Sequence, residues 1–187
     1  MAKPTLMIID IDGVLCDPRI RMKRIDYKSE KRHDYNKFIK SLREYNKDTY
    51  GDKPIRKGIQ LYHALKSIFN PDRCVFLTAR DEDNFHPTIE WLRKHVDDKI
   101  QEADLIMEPL PVLVGDEYNP VYKNSVEYKR NIIKQLLSKY EVIMAVDDED
   151  KNCKMFEEEH IPYLQFKDPN VDVDEYKEKL KNIPNNY

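Results

Sequence analysis

The sequence predicts an α/β protein built on a parallel, doubly wound sheet. Short apolar runs resembling buried strands recur along the chain, and amphipathic helical stretches lie between them. Three of the runs end in residues capable of chemistry: Asp10, Thr78 and Asp147. Strands alternating with helices imply βαβ crossovers, hence a parallel sheet covered on both faces. In such sheets a site forms beyond the carboxyl ends of the strands, where these three residues fall.

Residues 5–9 (TLMII) form the first run, too continuously apolar to leave one face in water. Residues 73–77, 110–114 and 141–146 repeat the pattern, and 163–166 add a last short strand. Residues 59–69 read as a helix with Leu61, Leu65 and Ile68 on one face, stopped by Asn70-Pro71. Residues 88–96 and 126–140 have similar spacing. The second of these turns Ile132, Ile133, Leu136 and Leu137 inward, and 150–160 closes the series. Trp91 falls at helical spacing and reads as core.

Residues 17–54 break the alternation. They are rich in Lys, Arg, Tyr and Asp and carry one amphipathic helix near 35–45. Lying directly after the first acidic motif, they read as a small helical cap inserted into a single domain spanning 1–187. The tail beyond 168 holds a short charged helix over 173–180 and then frays.

At 187 residues the chain suits one compact domain, which buries roughly 70% of its unfolded surface and needs no covalent staple. A net charge of −3 excludes a generic polyanion binder, so any nucleic-acid contact is local. Three widely spaced cysteines (Cys16, Cys74, Cys153) argue against a disulfide framework or zinc knuckle and fit a reducing compartment. The five histidines are scattered without metal-ligand pairing. The N-terminal apolar run is too short for a signal peptide, and no stretch approaches the ~20 apolar residues of a membrane span. The expectation is a soluble, cytoplasmic protein without membrane contact. No GxxxxGK[ST] loop occurs, so no kinase activity is expected.

The strongest chemical signal is IIDIDGVLCD, residues 8–17. Two aspartates two residues apart, leaving a buried strand, would project toward one mouth, with Gly13 allowing a tight turn. A carboxylate can attack phosphorus directly, and a second carboxyl can protonate the departing oxygen and then deprotonate water. Alone, such a pair also fits a solvent-facing strand end. In VFLTAR, residues 75–80, Thr78 and adjacent backbone N–H groups could bind phosphate oxygens and Arg80 could clamp them. Lys129, near a helix start, could neutralise phosphate, with Arg130 a competitor for that role. In AVDDEDKN, residues 145–152, a buried run ends in Asp147 and Asp148. Magnesium favours such oxygen ligands, although acids also suit a solvated helix start.

The order DxD, Thr, Lys, DD resembles the haloacid dehalogenase (HAD) phosphohydrolase superfamily over nearly the whole chain apart from cap and tail. That resemblance implies a Rossmann-like sheet, magnesium, and a phosphatase working through an aspartyl phosphate. IDIDGVLCD, FLTAR followed by TIEWLRKH, and AVDDEDKNCKMFEEEHIPYLQF look most like the phosphatase domain of phage polynucleotide kinase-phosphatases. By that likeness Asp10 is the nucleophile and Asp12 the acid/base. Thr78, Arg80, Lys129 and, from the cap, Arg21 would bind substrate phosphate. Asp10, Asp12, Asp147 and Asp148 would form the metal set. The segment PVLVGDEYNPVYKNS has no clear counterpart in that family.

An acid at Asp12 excludes dehalogenases, which lack one there, and ion-pumping ATPases, which carry threonine. A small cap suits a polymer end or a nucleotide. Arg19, Arg21, Lys23, Arg24, Lys28, Lys31 and Arg32 could hold a nucleic-acid backbone, with Tyr27, His33 and Tyr35 for stacking, or could simply solvate the cap. The first-choice substrate is a polynucleotide 3′-phosphate. The alternatives are a (deoxy)nucleoside monophosphate and, from another class, a non-catalytic HAD-fold module binding nucleic acid or protein.

Overall fold

The computed structural model describes residues 2–17, 49–114, 117–119, 121–122 and 124–167. The cap helix expected near 35–45, the basic run with Arg21, and the tail helix at 173–180 lie outside the described residues.

In chain order the strands are β1 (Thr5–Ile9), β2 (Cys16–Asp17), β3 (Lys53–Pro54), β4 (Arg73–Asp81), β5 (Leu105–Glu108), β6 (Val112–Val114), β7 (Glu117–Asn119), β8 (Glu141–Asp147) and β9 (Tyr163–Gln165). The helices are α1 (Arg56–Phe69), α2 (Phe85–His95), α3 (Ser125–Lys139) and α4 (Asp150–Glu158). Among the described residues five strands form one sheet in the order β5-β4-β1-β8-β9, every pairing parallel. The chain starts in the centre and winds outward both ways, which is the doubly wound arrangement the alternating pattern implies.

Strand β1 is apolar and buried from Leu6 to Ile9 because both its faces are covered there. Met7 and Ile9 pack with Leu61 and Leu65 of α1 and Trp91 and Leu92 of α2. Leu6 and Ile8 face the opposite cluster, with Tyr128 and Ile133 of α3 and Met155 and Phe156 of α4. Helix α1 ends where Asn70 adopts φ 43°, and its N–H bonds the Lys66 carbonyl. Helix α3 starts at Asn124, whose side chain accepts from the Glu127 N–H at 3.0 Å.

Two sequence expectations are corrected. The strand expected at 110–114 is not in the main sheet: β5, Leu105–Glu108, is the edge strand beside β4. Val112–Val114 instead pairs antiparallel with β7 in a separate hairpin. Pro109 just before the 110–114 run and Pro111 within it remove ladder donors, whereas LIME has its own alternating burial. Ile68 is 52% exposed, and Phe69 packs against the core in its place. No helix among the described residues is long and apolar enough to cross a membrane.

The described residues on either side of 18–48 lie side by side. Cys16 pairs with Pro54 and Asp17 with Lys53, antiparallel. The Ile55 N–H bonds the Leu15 carbonyl at 2.7 Å.

Candidate active site

Register sets the frame. Ile9 lies opposite Phe76 on one side and Val146 on the other, so Asp10, Thr78 and Asp147 emerge at the same carboxyl edge of three adjacent strands. The Asp10 N–H donates to the Val146 carbonyl at 2.9 Å, which extends the ladder to the carboxylate itself. The chain then turns: the N–H groups of Leu15 and Cys16 both reach the Ile11 carbonyl. Gly13 takes φ +82° in this turn, and a Cβ there would stand 2.2 Å from Asp148 Oδ2. Only glycine fits both the conformation and the space.

Two clusters result. In the first, Lys129 is buried in the first turns of α3 and its Nζ donates to Asp10 Oδ1 at 2.8 Å and Asp147 Oδ2 at 2.6 Å. Asp147 also accepts from the Glu149 N–H at 3.0 Å and from Asn152 Nδ2 at 2.9 and 3.1 Å. Burial opposes the charge on Lys129, but Asp10 and Asp147 more than offset it and hold its pKa above the usual range. Burial raises the Asp10 carboxyl well above its usual range. Lys129 pulls the other way, while Asp147 and Asp148 add repulsion. Asp148 is pushed up to about 7, by burial first and then by Asp147 and Glu149.

In the second cluster the guanidinium of Arg80, also buried, grips Asp12 at both ends. Nε donates to Oδ2 and Nη2 to Oδ1, each at 2.8 Å. Nη2 also lies 2.9 Å from Asp52 Oδ2 and 3.0 Å from Cys16 Sγ, and Nη1 lies 3.3 Å from Thr88 Oγ1. Burial again works against the charge, and the Asp12 and Asp52 carboxylates hold the guanidinium well above its ordinary pKa.

The structure brings Asp10, Lys129, Asp147 and Asp148 together. Arg130 turns outward to Glu158 and Glu159, which separates it from its neighbour Lys129. Thr78 is buried within β4, three residues before its end, its hydroxyl accepting from the Arg80 N–H at 3.2 Å. Two expectations meet a different geometry. Arg80, expected to clamp phosphate, directs its donors to Asp12, Asp52, Cys16 and Thr88. Asp12, expected in the metal set, has its carboxylate on Arg80 rather than among the other acids. Arg21 lies outside the described residues. Sequence reasoning overlooks Asp52, which sits in an ordinary-looking YGDKP turn. It also overlooks Asn152, whose place in the first turn of α4, five residues after Asp147, was a readable signal.

Carboxylate oxygens of Asp10, Asp147 and Asp148 lie within 4.8 Å of one another. One ammonium bonds two of the three acids, every candidate ligand atom is oxygen, and each acid adds repulsion. This set fits a hard divalent cation. A second grouping, Asp12, Cys16 and Asp52, is equally tight, but the Arg80 guanidinium already supplies its positive charge.

No protein-family model and no curated protein matches the sequence. Solved structures do. A chain of the Pnkp1/Rnl/Hen1 RNA repair complex aligns at TM-score 0.56 and 18% identity over 88% of this chain and 42% of that one. A haloacid dehalogenase-like hydrolase from Streptococcus pneumoniae aligns at 0.55 and 13%, over 87% and 84%. The class C acid phosphatase from Bacillus anthracis aligns at 0.53 and 9%, over 98% and 81%. The chain spans less than half the length of the repair-complex chain it matches. The fold is therefore that of the haloacid dehalogenase-like hydrolases, as the motif order implies.

Proposed function

We propose that this protein is a magnesium-dependent phosphomonoesterase that works through an aspartyl phosphate on Asp10. The observation that carries the reading is the buried Asp10–Lys129–Asp147 bridge at the carboxyl edge of the sheet. Burying three charges is costly unless they serve a purpose, and replacing such groups by apolar residues is often neutral or stabilising. A cation poised beside a nucleophilic carboxylate is what transfer of a phosphoryl dianion requires.

In this mechanism Lys129 holds Asp10 Oδ1, leaving the other oxygen to attack phosphorus. Asp12 first takes up a proton on one oxygen, which gives up its bond to Arg80. The bond from phosphorus to the ester oxygen then breaks as Asp12 gives that oxygen the proton, so the alcohol leaves neutral. Asp12, now a carboxylate, takes a proton from water, whose oxygen attacks the acyl phosphate. Inorganic phosphate departs and Asp10 is restored. Lys129 and Thr78 neutralise and bind the transferring group, and Arg80 fixes the acid rather than the phosphate. Asp10, Asp147 and Asp148 would hold the magnesium ion, which supplies charge neutralisation for carboxylate and phosphate together.

The substrate reading is a nucleotide phosphate, first choice the 3′-phosphate of a polynucleotide. Two observations support it: the fold likeness to a chain of an RNA repair complex, and the basic run over 19–32. Residues 17–54 act as a cap in this reading, and the β2–β3 pairing that closes their ends supports that role.

The test is phosphate release, with magnesium and with EDTA, from a 3′-phosphorylated oligonucleotide, a 5′-phosphorylated one and nucleoside monophosphates, with Asp10→Asn as control. Magnesium-dependent release mainly from the 3′ end, abolished in Asp10→Asn, is expected. Release mainly from monomers would make the protein a nucleotidase. Turnover unchanged in Asp10→Asn would overturn the aspartyl-phosphate mechanism.

A further inference from the structure

We infer that Asp52 is a positioning residue that sets the proton donor Asp12 through Arg80. The inference rests on the phosphatase reading above.

Asp52 lies where the chain returns from residues 18–48, one residue before β3. Its side chain is fully buried, at 0% exposure, and its Oδ2 sits 2.9 Å from Arg80 Nη2. Asp12, by contrast, keeps 31% of its side chain exposed, as a group that meets substrate must. One guanidinium therefore joins an acid facing solvent to an acid sealed in the protein.

The two ends of this bridge have different consequences. A bidentate pair such as Arg80–Asp12 fixes the two groups relative to each other but leaves the pair free to tilt together. Asp52 and Thr88 supply anchors from other elements. Asp52 is itself tied down, because Trp91 Nε1 donates to its carbonyl at 2.9 Å and its own N–H bonds the Thr49 carbonyl at 3.1 Å. Trp91 belongs to the core between sheet and helices. A rigid path thus runs from the core, through the Asp52 backbone and carboxylate, to Arg80 and so to the Asp12 oxygens.

A fully buried carboxylate is strongly unfavourable without such a partner, and Asn or Leu could fill the same volume. What Asp52 adds beyond packing is a second charged acceptor on Nη2. Arg80 also touches Cys16 at the other stem, so one guanidinium contacts both stems of the 18–48 segment as well as Asp12.

The consequence is selective. Proton donation matters most for a poor leaving group such as a sugar alkoxide and least for 4-nitrophenolate, which departs without help. The experiment compares wild type, Asp52→Ala and Asp52→Asn by kcat/KM, which covers the steps through departure of the leaving group. Two esters are used in magnesium: 4-nitrophenyl phosphate and the nucleotide phosphate that wild type hydrolyses fastest. Asp52→Ala is expected to lose roughly 100-fold on the nucleotide and at least ~10-fold less on the aryl ester, since small misplacements of catalytic groups cost about that much. Asp52→Asn keeps an acceptor without its charge and is expected to lose roughly 3–10-fold with the same bias. If Asp52→Ala does not fold, Asp52→Asn decides by the same criterion. Equal losses on both esters, or no loss, would overturn the inference and leave the phosphatase reading standing. Wild type inactive on both esters would sink the two together.

Discussion

The ammonium of Lys129 stands 2.8 Å from the carboxylate of Asp10, a contact that closes 119 residues of sequence. Neither group is comfortable alone in so buried a place. Lys129→Met would leave Asp10 and Asp147 facing each other without their shared cation, and breaking one partner of a buried set costs about 3–5 kcal/mol. The melting temperature should fall by roughly 10 °C, given about 2–4 °C per kcal/mol in a chain of this length. Turnover should fall at least ~100-fold, because a preorganised charge is lost from the proposed phosphate site. Differential scanning calorimetry and phosphate release check the two effects. A variant that melts low but keeps full turnover would remove Lys129 from the chemistry.

Gly13 offers a second probe, because its failure mode is geometric. With φ at +82° any side chain is strained there, and a Cβ would press within 2.2 Å of Asp148 Oδ2. Gly13→Ala should cost about 1–3 kcal/mol and displace Asp148. Circular-dichroism melts should show the lowered stability, and phosphate release should be greatly reduced even where the protein stays folded. A variant as stable and active as wild type would show that the turn is not held as described.

Much of this was legible in the sequence, and the reasons are physical. Central strands β1, β4 and β8 announce themselves because both faces are buried, which forces continuous apolar runs, and Asp10, Thr78 and Asp147 follow those runs. The edge strand was harder. LIME holds three apolar residues, while residues 110–114 (LPVLV) hold four and draw the assignment away from it in spite of Pro109 and Pro111. Lys129 and Arg130 could not be separated by spacing, since adjacent helix residues point about 100° apart and only the packed structure says which way is in. Asp52 left no signal, because its partner Arg80 is 28 positions away and a turn aspartate is commonplace. Pairings across long separations are where one-dimensional patterns fall silent.

Removal of metal provides a further test. If Asp10, Asp147 and Asp148 hold magnesium, the ion binds the folded state alone and raises its stability by RT ln(1 + [Mg]/Kd), about 2.7 kcal/mol at 100 times Kd. A magnesium-dependent rise in melting temperature is expected for wild type, reversed by EDTA. In Asp148→Asn the rise should shrink sharply, while the apo protein should be no less stable than wild-type apo protein, because one member of a repelling set has become neutral. An identical magnesium response in Asp148→Asn would move the ion elsewhere.

Glu108, at the end of β5, has its carboxyl pushed up to about 7, by burial first and by the neighbouring Asp81 second. The sign follows from proton linkage. Unfolded, a glutamate titrates near 4.3, so between about pH 4 and 7 the folded chain binds more protons than the unfolded one. Stability therefore falls as pH rises through that window, and the full penalty is present above pH 7. Glu108→Gln mimics the protonated form and carries no such penalty. Because the group retains solvent contact, the penalty is on the order of 1 kcal/mol after screening. Glu108→Gln should melt roughly 2–4 °C above wild type at pH 8, and the difference should close toward pH 4. Melts of the two proteins across that range measure it directly. A gap independent of pH would mean that packing, not charge, sets the difference.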